Sequence, residues 1–570
     1  MRLNYILNFF RYLKFKVILT KRFYIFFLLF INYNFNAQIL PIQNSILNYN
    51  QVLFQIKPVE KIKYYEFNVS EDYYFEDKLN FKNKTAFKHI DSTHSTIVEN
   101  LRFGAAYKWK VNGYDSTDKL AYESSINTFS IMPCEYCDTK KYIFTQSYND
   151  STLYKNGLIW CDLYHCAIDR KGNVVWQFPI INKGIEKGRA LRDLRMYPSG
   201  DLTFITDTNV FCINKDLEIT WKTLHDKGKL IKHYANFHHC LRKLDNNHFM
   251  VLQARPYQIK NKKDTSLTIS YDDDFLVEYD ESGKEVWSWH TSEHFDNNLL
   301  KQIATTSNKR KISLHANSFS FDESGNNIYL NFRDLNRIIK INKRTKKIVS
   351  QYGQKLSEID TLVFQTNLFN KQHDVRILPN NEITMFNNFS KDSNYVSSVL
   401  HLKLPQNKTD EFKIIWEFKL NFDSITNGKS DRLGSVELLE NGNYLICTGE
   451  NGRLLEVTKD KIPVWDAMLF EKITNPNKVL KFPQYKIAFS SSLYPFNFYV
   501  YKTTNEIKIC NEGTETDTYV FFSKRKSNNK LFEITLKPNE RFSYNFNKSL
   551  EKKLIIKSIK SNTSKEIKIN

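Results

Sequence analysis

A chain of 570 residues with 41% hydrophobic and 15% aromatic side chains, and only 17 glycines and 13 prolines, has ample material for a packed core. That composition excludes a disordered or low-complexity polymer. The net charge of +20 suggests a nucleic-acid or membrane surface, but lysine is spread evenly through sequence rich in Asn, Ile, Tyr and Phe, with no clustered patch, so no nucleic acid is expected as a partner.

Lys21-Arg22 precede the apolar run Phe23 to Ile31, and Asn36-Ala37-Gln38 offers a small residue for cleavage after Ala37. The run is about half of the roughly 20 residues a membrane span needs. Residues 1–37 therefore read as a cleavable export signal, with either a long leading region or a second start near Lys21. The expectation is a periplasmic or secreted protein with no stable membrane span after signal removal. Eight cysteines in an exported chain invite disulfides, though spacing fixes no pairing. Cys134-Glu135-Tyr136-Cys137 is a C-x-x-C with no second pair to complete a zinc site, and no metal is expected. Cys161 and Cys166 could close a small loop, while Cys212, Cys240, Cys447 and Cys510 lie in strand-like runs and are expected as buried thiols.

Residues 45–131 carry short alternating runs, Val52 to Ile56, Tyr64 to Val69, Ser95 to Val98, Tyr107 to Val111 and Thr128 to Ile131, which predict a β-sandwich. The stretch Leu101 to Val111 is similar to the later half of a fibronectin type III domain. From 145 to 490 a strand, a tight turn and a second strand ending in Trp recur. Ile168 to Trp176 is the first copy, and the others end at Trp221, Trp287, Ser350, Trp416 and Trp465, at intervals of 45, 66, 63, 66 and 49 residues. Such periods predict an all-β fold, a six-bladed β-propeller with seven blades as the alternative, in which Trp fills the space between blades. Ile507 to Phe546 predicts a second small β-sandwich over 497–560, and Glu551 to Asn570 a solvated edge strand and tail.

A second frame lies inside this period. His373 is followed, five residues on, by the turn Leu378-Pro379-Asn380-Asn381 and the run Ile383 to Phe386. The same frame recurs as His239 with Leu244-Asp245-Asn246-Asn247, Arg192 with Tyr197-Pro198-Ser199-Gly200, and Gly434 with Leu439-Glu440-Asn441-Gly442. A copy one residue longer runs from His315 to Phe321-Asp322-Glu323-Ser324-Gly325. If this is the channel-lining strand of each blade, histidines far apart in sequence become neighbours. Arg333 adds a fixed positive fork suited to a tetrahedral oxyanion.

Leu314-His315-Ala316-Asn317-Ser318, then Asn331-Phe332-Arg333-Asp334-Leu335-Asn336, then Gln372-His373-Asp374, then Gly434-Ser435 with Asn441-Gly442-Asn443, resemble the bacterial arylsulfate sulfotransferases over roughly 45–545. The resemblance implies a six-bladed propeller with an N-terminal β-sandwich. It also implies transfer of a sulfuryl group from a phenolic sulfate to a phenol without a nucleotide donor. By the same resemblance His373 is the nucleophile, His315, Asn317 and Arg333 hold sulfate oxygens, and a further histidine matches His239, with His238 as the alternative; Gln372 joins the substrate-binding set. A neutral imidazole can attack sulfur near pH 7 and form a sulfo-histidine, splitting the transfer into two steps with ping-pong kinetics. Where the family has Asp-Trp and Ser-Ser, this chain has Ser313-Leu314 and Asn331-Phe332, which bears on substrate choice.

No Gly-rich phosphate loop or nucleotide-sulfate site is present in the sequence, so no cofactor is expected. The partners expected are a small phenolic sulfate and a phenol, with a homodimer left open. The competing readings are a sulfate-ester hydrolase and an inactive propeller binding a sulfated or glycan ligand. A quinone-cofactor propeller is disfavoured because tryptophan-docking repeats and calcium carboxylates are not evident.

Overall fold

The computed structural model describes residues 39–569 apart from 72–86, 180–190, 207, 224–235, 260–268, 296–299, 301–310, 356–361, 389–394, 408, 426–427, 473–478, 525–527 and 547–552. The expected signal, 1–37, lies outside the described residues. The fold is all-β, and its centre is six antiparallel sheets, each built on four strands.

Sheet two runs Arg192–Met196, Leu202–Ile205, Val210–Ile213, Ile219–Lys222. Sheet three follows as Asn236–Lys243, Phe249–Ile259, Ile269–Tyr279, Glu285–His290, and sheet four as Ala316–Phe321, Asn327–Phe332, Arg337–Asn342, Ile348–Gly353. Sheet five is Gln372–Leu378, Glu382–Asn387, Ser398–Lys403, Lys413–Lys419, and sheet six Ser435–Leu438, Tyr444–Cys447, Arg453–Val457, Pro463–Lys472. Sheet one differs. Its outer three strands are Leu158–Cys161, Cys166–Ile168 and Val174–Gln177, but its innermost strand is Ile487–Ser490, from beyond sheet six.

The two sequence frames map onto opposite edges. The frame around His373 places the innermost strand of sheets two to six, and its turn is held by a left-handed residue, such as Gly200, Asn247, Gly325, Asn380 or Gly442. The Trp-ended copies form the outer hairpins. Middle strands such as Leu202–Ile205, Val210–Ile213 and Tyr444–Cys447 are buried on both faces, while outermost strands such as Ile219–Lys222 bury little but their Trp. A sheet apolar on both faces must be covered on both, and here its neighbours cover it. Each innermost strand lies beside that of the next sheet, and the sixth lies beside Ile487–Ser490 of the first.

The outer edges are tied by indole N–H groups. Trp176 Nε1 donates to Lys215 O of the next sheet's hairpin turn (2.8 Å), Trp221 to Asp280 O (3.1 Å), Trp287 to Lys343 O (3.0 Å) and Trp416 to Lys459 O (2.9 Å). Trp465 of sheet six donates to Arg170 O of sheet one (2.7 Å). Trp221 also stacks on Phe249 and Trp416 on Tyr444 of the following sheet, at 3.9 and 3.8 Å between centroids. Sheet four has Ser350 in this place, and there Tyr352 lies against Phe412 of the sheet-five turn. The hairpin tryptophans thus pack and bond between neighbouring sheets, where the sequence placed them.

Two smaller units flank the six sheets. In the N-terminal one, Val52–Gln55 and Ser95–Val98 pair and pack Phe54 against Trp109 and Phe129 of a second sheet (ring centroids 5.2 and 5.7 Å). In the C-terminal one, Phe498–Lys502, Glu506–Asn511 and Arg541–Asn545 face a four-stranded sheet across Phe521 and Phe542. The expected solvated tail is partly wrong. Lys553–Ser558 pairs with Asp517–Lys524 in the interior of that sheet and buries Leu554 and Ile556, because its apolar residues alternate; Ser564–Lys568 is the edge. Cys134 and Cys137 form a disulfide. Cys161 and Cys166 are ladder partners but remain free, buried thiols, their hairpin being closed by the backbone pairing and by His165 N–H on Asp162 O.

Replacing Trp465 with Phe keeps an aromatic wedge but leaves the Arg170 carbonyl without its donor. Such a loss costs about 1–3 kcal/mol, so urea unfolding of Trp465→Phe is expected to give a lower midpoint with unchanged slope.

Candidate active site

The innermost strands do not run straight through the centre. Ladder pairing breaks after Arg192, His238 and His373 in sheets two, three and five, and after Ala316 in sheet four. At or beside each break a non-glycine residue takes a left-handed backbone: Asp193 (φ 53°), His239 (φ 64°), His315 (φ 58°) and Asp374 (φ 50°). Bulges re-aim side chains, and non-glycine residues in this region gather at functional sites. In sheet six the place falls to Leu433 and Gly434 (φ 65° and 97°).

This alters the sequence frame by one residue. His373 stands where Arg192 and His238 stand, as the last ladder-paired residue, whereas His239 shares the left-handed place of Asp193 and Asp374. The cause is one extra residue in the bulge of sheet three, where His238 to Leu241 spans Leu252 to Val251 alone.

Four predicted histidines come together. The ring of His239 lies 5.0 Å from His315 and 6.1 Å from His373 between centroids, and 4.8 Å from His238. The His238 and His239 Nδ1 atoms are 2.7 Å apart, and the His239 and His315 Nε2 atoms 3.2 Å. His373 is 2% exposed and its Nδ1 lies 2.6 Å from Gly434 O. A carbonyl only accepts, so Nδ1 carries the proton and Nε2 keeps the lone pair. Gly434 is required there, since a Cβ at this position would meet the Phe386 ring at 2.6 Å.

Arg333 reaches the same group from sheet four's rim. Its Nη1 donates to Asp334 Oδ1 (2.6 Å) and its Nη2 to Asp431 O (2.9 Å), and its Nε has no protein partner among the described residues. Asn317 and Gln372, expected to touch substrate, are fully buried and bonded to one another. Asn317 Nδ2 donates to Gln372 O (2.9 Å), Asn331 Nδ2 to Asn317 Oδ1 (2.7 Å), and Gln372 Nε2 to Asn331 Oδ1 (2.6 Å). This amide cluster fixes the backbone on either side of His315 and His373. Asn331, a departure from the family pattern, is its centre.

Several residues escaped the sequence reading. Tyr485 and Lys486 lie just ahead of the closing strand Ile487–Ser490. The Tyr485 ring contacts His239 (5.4 Å) and His373 (5.2 Å), and its buried hydroxyl has no partner among the described residues. Lys486 Nζ sits 3.0 Å from Asp374 Oδ1, and Asp374 also takes Arg376 Nε (2.9 Å). Asp193 takes Arg195 and Arg242, each at 3.0 Å. Beneath them Asp162 accepts the backbone N–H groups of Asp193, Tyr485 and Lys486. Asp193 and Asp374 adjoin frame residues and were within reach of the sequence; Lys486 was not, because its place depends on ring closure.

Burial pushes the His373 imidazole down to about 3, with Lys486 adding to the effect. It also lowers His239 well below its ordinary value, helped by His238, His315, His373 and Lys486, and lowers His315, where Asp334 opposes and Arg333 assists. Burial works against ionisation of Asp374 too, but Arg376 and Lys486 hold its carboxyl far below the usual range. Burial raises the Asp162 carboxyl to about 7. The floor is therefore a compensated charge cluster and the layer above it a set of neutral imidazoles. Two surface cavities, about 550 and about 200 Å³, lie away from this cluster and hold none of the predicted residues.

The fold is all-β, and its innermost strands gather a cluster of imidazoles. The family whose sequence model matches is Arylsulfotransferase (ASST), over residues 145–493, and the chain belongs to it. No curated protein matches the chain. Among solved structures it is similar to a protein of unknown function from Bacteroides caccae, at 13% identity and TM-score 0.37, covering 59% of this chain and 98% of that one. It is also similar to the Myceliophteria thermophila Swd1 β-propeller domain (12%, TM-score 0.28, 53% and 99% covered) and the Neurospora crassa Pan2 WD40 domain (8%, TM-score 0.23, 56% and 85% covered). Likenesses this distant carry no argument.

A depressed histidine pKa gives stability that is present above the unfolded value of about 6.5 and is lost as pH falls toward the folded one. For His373, about 2 kcal/mol should disappear between pH 7 and pH 5. Urea unfolding at the two pH values should show wild type losing that much more than His373→Gln.

Proposed function

We propose that this chain is a sulfotransferase that moves a sulfuryl group from a phenolic sulfate ester to a phenol through a sulfo-histidine at His373. The observation that carries the reading is the Nδ1 contact of His373 with Gly434 O, which leaves Nε2 as the attacking atom. Attack by Nε2 forms an S–N bond as the S–O bond to the phenol breaks, its electrons leaving on the phenolate. Retention of the Nδ1 proton lets Gly434 O bear the positive ring that results. His239, in ring contact beside it, His315, in contact with His239, and Arg333 at the rim would stabilise the sulfuryl oxygens and the leaving phenolate; one such donor typically contributes about 3 kcal/mol. The neutral state of His373 keeps it nucleophilic across the physiological range.

The six sheets are, on this reading, the blades of a propeller spanning 145–490, between sandwiches at 45–131 and 497–560. What supports it is the ring of adjoining innermost strands and the Trp465 to Arg170 tie between the last sheet and the first. Export on the signal at 1–37, a small-molecule donor and acceptor and the absence of a nucleotide donor belong to the same proposal.

Intact mass of the chain lacking residues 1–37, after excess 4-nitrophenyl sulfate, should show one added sulfuryl group in wild type and none in His373→Ala. Phenol added afterwards should discharge it and appear as the sulfate. Nitrophenol release without sulfated phenol would make the protein a hydrolase, and no adduct with no release from several donors would sink the reading.

A further inference from the structure

Beyond the imidazole layer, toward the turn ends of the innermost strands, the fold brings four cations together. Arg195 comes from sheet two, Arg242 from sheet three and Arg376 from sheet five, and Lys486 leads into the closing strand of sheet one. Arg195 and Arg242 share Asp193, and Arg376 and Lys486 share Asp374. Arg376 Nη1 also donates to Glu437 Oε2 of sheet six (3.0 Å). Although these side chains lie between strands at the centre, Arg195, Arg242 and Arg376 remain 16%, 15% and 14% exposed, so solvent reaches them.

The protein supplies this group with too few acceptors. Arg195 Nε and Arg376 Nη2 are buried with no acceptor among the described residues. Among the same residues Arg195 bonds only through Nη2 and Arg242 only through Nη1, which leaves Arg195 Nη1 and Arg242 Nη2 for solvent or a ligand. Charge is short as well. Four cations here meet three carboxylates, Asp193, Asp374 and Glu437. Asp162 accepts only backbone N–H groups, and burial raises its carboxyl to about 7. Burial works against the charge on Arg376, Asp374 and Glu437 hold it in place, and Arg195 opposes it, so guanidiniums from sheets two and five act on each other.

Water would accept the remaining N–H groups but leave one positive charge without a counterion, and such a charge is costly at this depth. A dianion would reverse the sign of the balance. A spherical monoanion matches the charge and imposes no angular preference on donors that come from different strands. We propose that Arg195, Arg242 and Arg376 hold one small inorganic monoanion of the halide class, on the side of the charge floor away from the histidines. Arg195 Nη1 and Arg242 Nη2 donate to it from the two sides of Asp193, and its charge relieves the repulsion that Arg376 meets from Arg195. The ion ties sheets two, three and five together and completes a floor that the chain's own carboxylates leave one charge short.

The test is thermal unfolding of the purified chain at fixed ionic strength while sodium chloride replaces sodium gluconate, whose anion is too large for the site. The midpoint is expected to rise with chloride and saturate, as for a ligand held by the folded state alone. Arg195→Lys and Arg242→Lys keep a cation beside Asp193 but remove the solvent-facing N–H groups. Each should weaken the apparent chloride affinity by roughly ten-fold or more. Equal midpoints in chloride and gluconate overturn the proposal, as does a chloride response unchanged in both lysine variants, which would place the ion elsewhere on the surface. A saturating response to sulfate with none to chloride overturns the monoanion assignment. If the lysine variants do not fold, crystals of the wild-type chain soaked in sodium bromide decide the question. An anomalous peak against Arg195 and Arg242 is expected, and its absence there overturns the proposal. None of these readouts depends on sulfuryl transfer.

Discussion

The pairing of Ile487–Ser490 with Leu158–Cys161 is the constraint on which the rest of the structure depends. A four-stranded sheet buried on both faces needs a neighbour on each side, so a row of such sheets ends in two exposed faces unless its ends meet. Here the first sheet receives its innermost strand from the far end of the chain. Residues more than 300 apart in sequence are thereby held edge to edge at the centre. The same strand carries in Tyr485 and Lys486, which form one wall and part of the floor of the histidine cluster. One strand pairing thus both joins the far end of the chain to the first sheet and brings Tyr485 and Lys486 to the histidine cluster.

The floor explains how imidazoles can sit neutral and fixed so near the axis. Ionised carboxylates at Asp193 and Asp374 would be costly to bury alone, and each is matched by one cation of its own strand, Arg195 or Arg376, and one from elsewhere, Arg242 or Lys486. Asp162, which accepts the backbone N–H groups of Leu163, Asp193, Tyr485 and Lys486, ties sheet one to sheet two and to the strand that follows sheet six. Above this layer the left-handed residues of the bulges turn His239 and His315 toward one another. Below it the Asn317, Asn331 and Gln372 amides lock the backbone that presents His315 and His373. The candidate site residues thus divide into two groups, imidazoles in ring contact with one another and buried amides bonded to one another.

Much of this was legible beforehand because it is periodic. The Trp-ended hairpins marked outer edges of the sheets, and the turn frame after His373, His239, Arg192 and Gly434 marked inner ones. The gathering of His239, His315 and His373 followed from that register. The details that escaped are those where the period is broken. One extra residue in the bulge of sheet three moved His239 to the place of Asp374. Asn317 and Gln372 turned inward because Asn331 offers both an acceptor and a donor. Lys553–Ser558, lysine-flanked and near the end of the chain, proved to be an interior strand, since its buried partners lie over thirty residues upstream.

The sequence by itself determined the all-β class, the repeating unit, the family and the residue types of the histidine cluster, because these depend on local alternation, turn chemistry and short motifs. Tertiary structure decided which ring nitrogen of His373 is free, which histidines touch, and which charges balance beneath them. Those properties arise from contacts between sheets, such as Gly434 O with His373, Lys486 with Asp374, and His315 with His239. Such contacts exist only between separate sheets, and no local pattern along the chain encodes their distance.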